Sequence, residues 1–138
     1  MDERVEERID ALQEYLRRVE EVASSAEDTM AVQEAKENLL RKIASSAIDI
    51  AARLIALNEY RRPDTYAEYF AVLAENDVLS DDLADRLEEM ARFRNLVVHQ
   101  YQTVSEEELD AIIDDDLDDV EAFIAAVERA SDGGIGDG

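Results

Sequence analysis

One segment of the chain concentrates reactive chemistry. Arg92-Phe93-Arg94-Asn95-Leu96-Val97-Val98-His99-Gln100-Tyr101 holds the single histidine of the protein, and from Arg94 to Tyr101 it sets a guanidinium, an amide, an imidazole and a phenol within eight residues. Such groups are able to hold a phosphodiester, move its protons and steady its charge. An imidazole takes up and releases a proton near neutral pH. An arginine adds a planar, permanently charged fork that fits phosphate oxygens.

Spacing decides how these groups meet. A helix turns about 100° per residue, so Asn95 and His99 share a face, whereas Arg94 and His99 stand roughly 140° apart around the axis. The two converge on one phosphate only if the helix loosens near His99 or if a second copy of the chain supplies the complementary group. Cleavage of RNA through its own 2′-hydroxyl works best with one general base and one general acid. A chain with one histidine offers two only as a dimer. Blander readings stand beside this one: His99 as a helix-end residue, Arg94 as a surface ion-pair partner in an acidic protein, and Tyr101 as a half-buried tyrosine with a solvated hydroxyl.

The elements that must position the motif read as helices. Val5, Ile9, Leu12, Leu16, Val19 and Ala23 recur at three- and four-residue intervals and predict a helix over about 3–24. Ser25, followed by Glu27 and Asp28, reads as the cap of a second helix over about 27–58. Its stripe, Val32, Ala35, Leu39, Ile43, Ile50, Leu54 and Leu57, is widened by Leu40, Ala44, Ala47, Ile48, Ala51 and Ile55. A helix apolar over so much of its circumference is either central in a bundle or shared with a second subunit. Asn58 to Asp64 is the main connector. Thr65 and Glu68 resemble a capping box that opens a short helix to about Glu75, burying Phe70 and Leu73. Ser80-Asp81-Asp82 starts the helix that carries the motif, with Leu79, Leu83, Leu87, Met90 and Val97 as its buried face. Ser105 and Glu108 form a second capping box before a last helix through Leu109, Ile112, Leu117, Val120, Ile124 and Val127.

Composition narrows the class. All four glycines lie in the last six residues, there is one proline, and cysteine is absent. These counts favour an almost wholly helical chain and exclude zinc–thiolate sites and disulfides. At 138 residues the chain is large enough for one domain with its own core, placed at residues 1–130, with 131–138 expected as a disordered tail. No apolar run approaches membrane-spanning length and the charged start lacks a signal-peptide pattern, so a soluble cytoplasmic protein is expected.

The formal net charge is −22, spread over every segment, with only Lys36 and Lys42 as lysines against twelve arginines. Acid this dense normally argues against nucleic acid. Diffuse acid with scarce lysine, however, resembles the proteins of halophiles. At about 1 M salt the Debye length falls to about 3 Å, and a global charge then hardly repels a polyanion.

The run Phe93 to Tyr101 matches the Arg-x4-His-x-Tyr signature of HepT-like HEPN ribonuclease toxins. The Ala-rich second helix through Ile48-Asp49-Ile50-Ala51, the entry Arg62-Pro63-Asp64-Thr65-Tyr66, the segment Tyr69-Phe70-Ala71-Val72-Leu73 and the stretch from Leu83 to Met90 resemble that family too. The resemblance spans about residues 1–130. It implies an all-α, HEPN-type up-and-down helical bundle that dimerises, and metal-independent RNA cleavage in a cleft lined by the motif of both protomers, with no cofactor.

By motif position, His99 transfers protons, Arg94 positions and stabilises the phosphate, and Asn95 orients the imidazole or the phosphate. Tyr101 corresponds to the residue on which a cognate MntA-like nucleotidyltransferase antitoxin places AMP units. Such a modification adds bulk and negative charge beside the histidine. Arg41, Lys42, Arg53, Arg61, Arg62 and Arg92 are the candidate RNA contacts, expected to cluster at the cleft and make it less acidic than its surroundings. The alternative reading is a non-catalytic helical module that binds a partner nucleotidyltransferase or a nucleotide.

Overall fold

The computed structural model describes residues 1–24, 29–66, 68–99 and 106–132, except for the side chains of 93–99, 106–110, 112 and 132. Five helices and no strand occur among the described residues: α1 (Glu3–Ala23), α2 (Met30–Leu57), α3 (Glu68–Glu75), α4 (Asp81–His99) and α5 (Glu106–Asp132). The expected all-helical bundle is therefore what forms. None of the described helices is long and apolar enough to cross a membrane.

Local chemistry sets each boundary. Asp2 caps α1 through its carboxylate, which accepts the Val5 N–H at 3.1 Å. The cap of α2 is Thr29, not Ser25. Thr29 has extended backbone angles and its Oγ1 accepts the Val32 N–H at 3.2 Å, so α2 begins three residues later than the sequence suggested. Ser25 itself lies outside the described residues. Glu68 does reach back as a capping carboxylate, but it accepts the N–H of Asp64 at 3.1 Å. Ser80 Oγ accepts the Leu83 N–H at 3.1 Å and starts α4, with Asp81 and Asp82 at its positive end. The proposed box at Ser105 and Glu108 falls outside the described side chains, although α5 does begin at Glu106.

Helices α2 and α3 stop in the same way without a glycine. Asn58 and Asn76 each turn their side-chain amide onto the carbonyl four residues back, at 2.9 Å in both cases. The next residue, Glu59 or Asp77, takes a positive φ of 54° or 63°. The residue after that bonds across the turn, Tyr60 N–H to Ile55 O at 3.1 Å and Val78 N–H to Leu73 O at 3.0 Å. This is a Schellman closure, which satisfies the carbonyls a helix leaves open at its end.

The wide apolar girth of α2 is used within the chain. Leu39, Leu40, Ile43, Ala44, Ala47, Ile48, Ile50, Ala51, Leu54 and Ile55 are all buried, and α2 packs on each of the other four helices. A central position in the bundle thus accounts for the breadth of its stripe. The α1 stripe is buried from Val5 to Val19, whereas Ala23 in its last turn is exposed. Phe123 of α5 is fully buried and meets Phe70 of α3 edge-on, ring centres 5.7 Å apart.

Packing also fixes direction. Arg53 on α2 pairs with Asp2, and Lys42 lies against Tyr15, so α1 and α2 run antiparallel. Gln13 and Glu128 share one cavity, while Glu20 and Glu121 share another, so α5 opposes α1. Arg86 meets Asp119, and Met90 lies by Asp115, so α4 opposes α5. The His99 end of α4 therefore points toward the end of the bundle where α2 begins, away from Arg53.

Candidate active site

Helix α4 runs unbroken from Asp81 to His99, which puts Arg94, Asn95 and His99 on one helix. It does not loosen before His99. Asn95 and His99, four positions apart, keep one helix face, and Arg94 sits at a different angle on the same backbone. The side chains of Arg94, Asn95 and His99 and the whole of Tyr101 lie outside the described residues. What anchors this segment is the part of α4 before it: Leu83, Ala84, Leu87, Met90 and Ala91 are buried in the core and hold α4 against the bundle.

The part of α4 that precedes the motif borders acidic surroundings. Between α4 and α5 lies an open cavity of about 640 Å³ lined by Arg86, Glu89, Met90, Asp115, Asp116, Asp118, Asp119 and Ala122. Burial pushes the Asp116 carboxyl up to about 7, helped by repulsion from Asp119, Asp115 and Glu89. Asp119 is raised as well, by burial against the pull of Arg86. These acids are written openly in the sequence as Asp114-Asp115-Asp116-Leu117-Asp118-Asp119. Only the packing of α5 against Glu89 on α4 shows that they form one lined groove. Among the described residues no group of acidic or histidine side chains is arranged to hold a metal ion.

The expected basic contacts are dispersed. Arg92 is exposed, with its Nη2 3.8 Å from Glu88 one turn back. Arg53 is bound by Asp2 at 3.2 Å. Arg61, in the connector after α2, is held by Glu75 at 2.8 Å and by Glu68 at 3.7 Å. Arg62 is exposed beside it. Arg53 and Arg61 thus sit toward the end of α2 remote from Met30, engaged with carboxylates, and one protomer does not bring them to the motif. Arg41 and Lys42 line a separate groove between α1 and α2.

Comparison with known proteins fits this architecture. The family described as Ribonuclease HepT-like matches residues 5–127. The mRNA nuclease HepT of Shewanella oneidensis is 28% identical over 89 residues, covering 64% of this chain and 67% of that protein. Among solved structures, the tri-AMPylated HEPN toxin of Shewanella oneidensis in complex with MNT antitoxin superposes with a TM-score of 0.85 at 23% identity, over 94% of this chain and 99% of that one. A cytosolic protein of unknown function from Bacillus subtilis, YutE, gives 0.84 at 17% identity over 96% of this chain and 92% of its own. At such identities the structures establish the fold alone.

Proposed function

The chain belongs to the HepT-like ribonuclease family, and from that premise we propose that it is an endoribonuclease toxin of a toxin–antitoxin pair. The observation that carries the reading is the Arg-x4-His pair Arg94 and His99 on an unbroken α4. His99 accepts the proton of a ribose 2′-hydroxyl and, as imidazolium, returns it to the departing 5′-oxygen. The 2′-oxygen forms its bond to phosphorus as the bond to the 5′-oxygen breaks, leaving a cyclic phosphate and a free hydroxyl. Arg94 holds the non-bridging oxygens, whose charge grows in the transition state. Asn95, on the face of His99, orients the imidazole or the phosphate. No metal is required, because proton transfer and charge stabilisation are both supplied by side chains.

A continuous helix keeps Arg94 and His99 at different angles, so we place the complete site at a homodimer cleft, with one protomer's His99 serving beside the other's Arg94. Tyr101, two residues past His99, is the acceptor for AMP from a cognate MntA-like nucleotidyltransferase. The support is the motif match, together with the AMPylated toxin in complex with MNT antitoxin among the structural relatives. AMP units there block the cleft and repel RNA. The diffuse acid excess is read as adaptation to high salt in a cytoplasm rich in potassium.

The test is RNA cleavage by purified protein in high-potassium buffer with chelator present. His99→Ala should lower the rate by about 10²- to 10⁴-fold, the range for loss of a general acid or base. A folded wild type with unmodified Tyr101 that leaves RNA intact overturns the reading. So does a His99→Ala variant that cleaves as fast as wild type.

A further inference from the structure

The groove between α1 and α2 departs from the charge of the rest of the surface. Arg8, Arg41 and Lys42 line its volume of about 420 Å³ against one acid, Asp49. Three other cavities lined by described residues each carry more acids than cations, including the one along α4 before the motif. In a chain with 36 acidic and 14 basic residues, three cations to one acid is a marked local reversal.

The state of the cations matters as much as their number. Arg8 is partly neutralised by Asp49 at 3.0 Å. Neither Arg41 nor Lys42 forms an ion pair with a described residue, whereas Arg53, Arg61 and Arg86 are all held by carboxylates. Arg41 has only a long 3.4 Å bond to Asn38. The Lys42 ammonium lies 5.7 Å from the centre of the Tyr15 ring. Cations beside an aromatic ring in an open groove are what single-strand-binding surfaces use to hold phosphates and stack bases.

We propose that the α1–α2 groove, through Arg41, Lys42 and Tyr15, binds the backbone of single-stranded RNA at a point separate from Arg94 and His99. The proposal rests on the ribonuclease reading for the identity of the polyanion. RNA is favoured over an acidic protein because the stretch of α4 leading into the motif borders a cavity lined by five carboxylates, which offers a strand no grip there. At about 1 M salt the Debye length is about 3 Å, so a phosphate in contact with the groove meets its local surplus of cations and hardly senses the global −22. Lys42 lies twelve residues along α2 from Met30, about 18 Å at 1.5 Å per residue, from the end toward which α4 points. The groove therefore engages RNA flanking the cleaved bond.

The test uses a labelled 2′-O-methyl RNA oligonucleotide, which binds but cannot supply the attacking hydroxyl. Affinity is measured in potassium salt between about 0.2 and 1 M for wild type, Lys42→Gln, and Arg41→Gln combined with Lys42→Gln. The slope of log affinity against log salt should fall by about 0.7 for the single variant and about 1.4 for the double. With cleavable RNA, KM should rise while kcat at saturation stays unchanged. Lys42 is exposed, which makes the single variant the guard against a folding defect in the double.

An unchanged slope in both variants overturns the proposal, as does a wild type with no affinity for the oligonucleotide. Loss of binding to a partner nucleotidyltransferase with RNA affinity intact would reassign the groove to a protein and likewise overturn it. The two readings fail separately. Cleavage with an unmoved slope removes the groove and leaves the nuclease; groove-dependent binding without cleavage does the reverse.

Discussion

Arg86 of α4 and Asp119 of α5 are joined by a 3.1 Å contact from Nε to Oδ1, roughly two helical turns before Arg94. The same guanidinium meets Asp82 at 3.1 Å. Among the described residues it is the only cation lining a groove that also holds Glu89, Asp115, Asp116 and Asp118. One arginine offsets two carboxylates there, and the remaining acids are left to repel one another. The helix that carries the motif is thus held to its neighbour across a surplus of negative charge.

Asp116 converts that surplus into a pH dependence. Its folded-state value of about 7 stands above the ordinary 3.8, because burial and neighbouring acids disfavour its charge. The folded protein therefore holds a proton that the unfolded chain has already released. Between about pH 4 and 7 this group lowers stability as pH rises, and above 7 the full penalty remains. Asp116→Asn should raise stability at pH 8 by about 1 to 2 kcal/mol, after allowance for its partial exposure, and change little at pH 4. Thermal melts at the two values check this. An equal gain at both would show that the charge is not the cause.

Much of the fold was legible because periodicity reports burial directly. The α1 stripe, the girth of α2 and the Ser80 start of α4 could be read from side-chain types alone. Boundaries without their usual residue were less readable. No glycine precedes Gly133, so nothing marked Glu59 and Asp77 as the left-handed positions at which α2 and α3 close. Thr29 was passed over for Ser25 because both can cap, and only backbone geometry separates them. Phe123 was absent from the expected face of α5, although its ring fills the core beside Phe70. The motif was legible as a spacing. That Arg53 and Arg61 lie far from it, bound by Asp2 and Glu75, depends on packing between segments distant in sequence.

Phe123 supplies the plainest test of that packing. It is fully buried and joins α5 to α3 through its edge-on contact with Phe70. Phe123→Ala should destabilise the protein by about 3 to 5 kcal/mol, the range for emptying an aromatic site in a core. Chemical denaturation would measure it. A loss under about 1 kcal/mol would mean that the bundle closes over the space or that α5 packs otherwise.

Glu59 offers the opposite sign. Its φ of 54° places a side chain where only glycine is unstrained. Glu59→Gly removes that strain and costs some unfolded-state entropy in return. The net gain should be roughly 0.5 kcal/mol, visible as a small rise in denaturation midpoint with an unchanged slope. A fall in midpoint would show that the closure of α2 does not need its left-handed residue relaxed.

The shared-site reading makes the sharpest demand on Arg94 and His99. On an unbroken α4 the two positions face different directions, so a site drawing one from each protomer should be complemented in trans. Arg94→Ala and His99→Ala proteins, each inactive alone, would be mixed and allowed to exchange subunits. Half of the resulting dimers are mixed, and each mixed dimer rebuilds one of its two sites. Roughly a quarter of wild-type activity should then return. If the two residues of a site come from the same chain, no pairing of these variants restores an intact site and activity stays at the level of the separate proteins. Chromatography of the same mixture settles whether exchange occurred, because a size-tagged protomer must appear in a dimer of intermediate mass. Activity that stays flat after demonstrated exchange would place Arg94 and His99 of one chain in the same site, with the helix itself rearranged around the substrate.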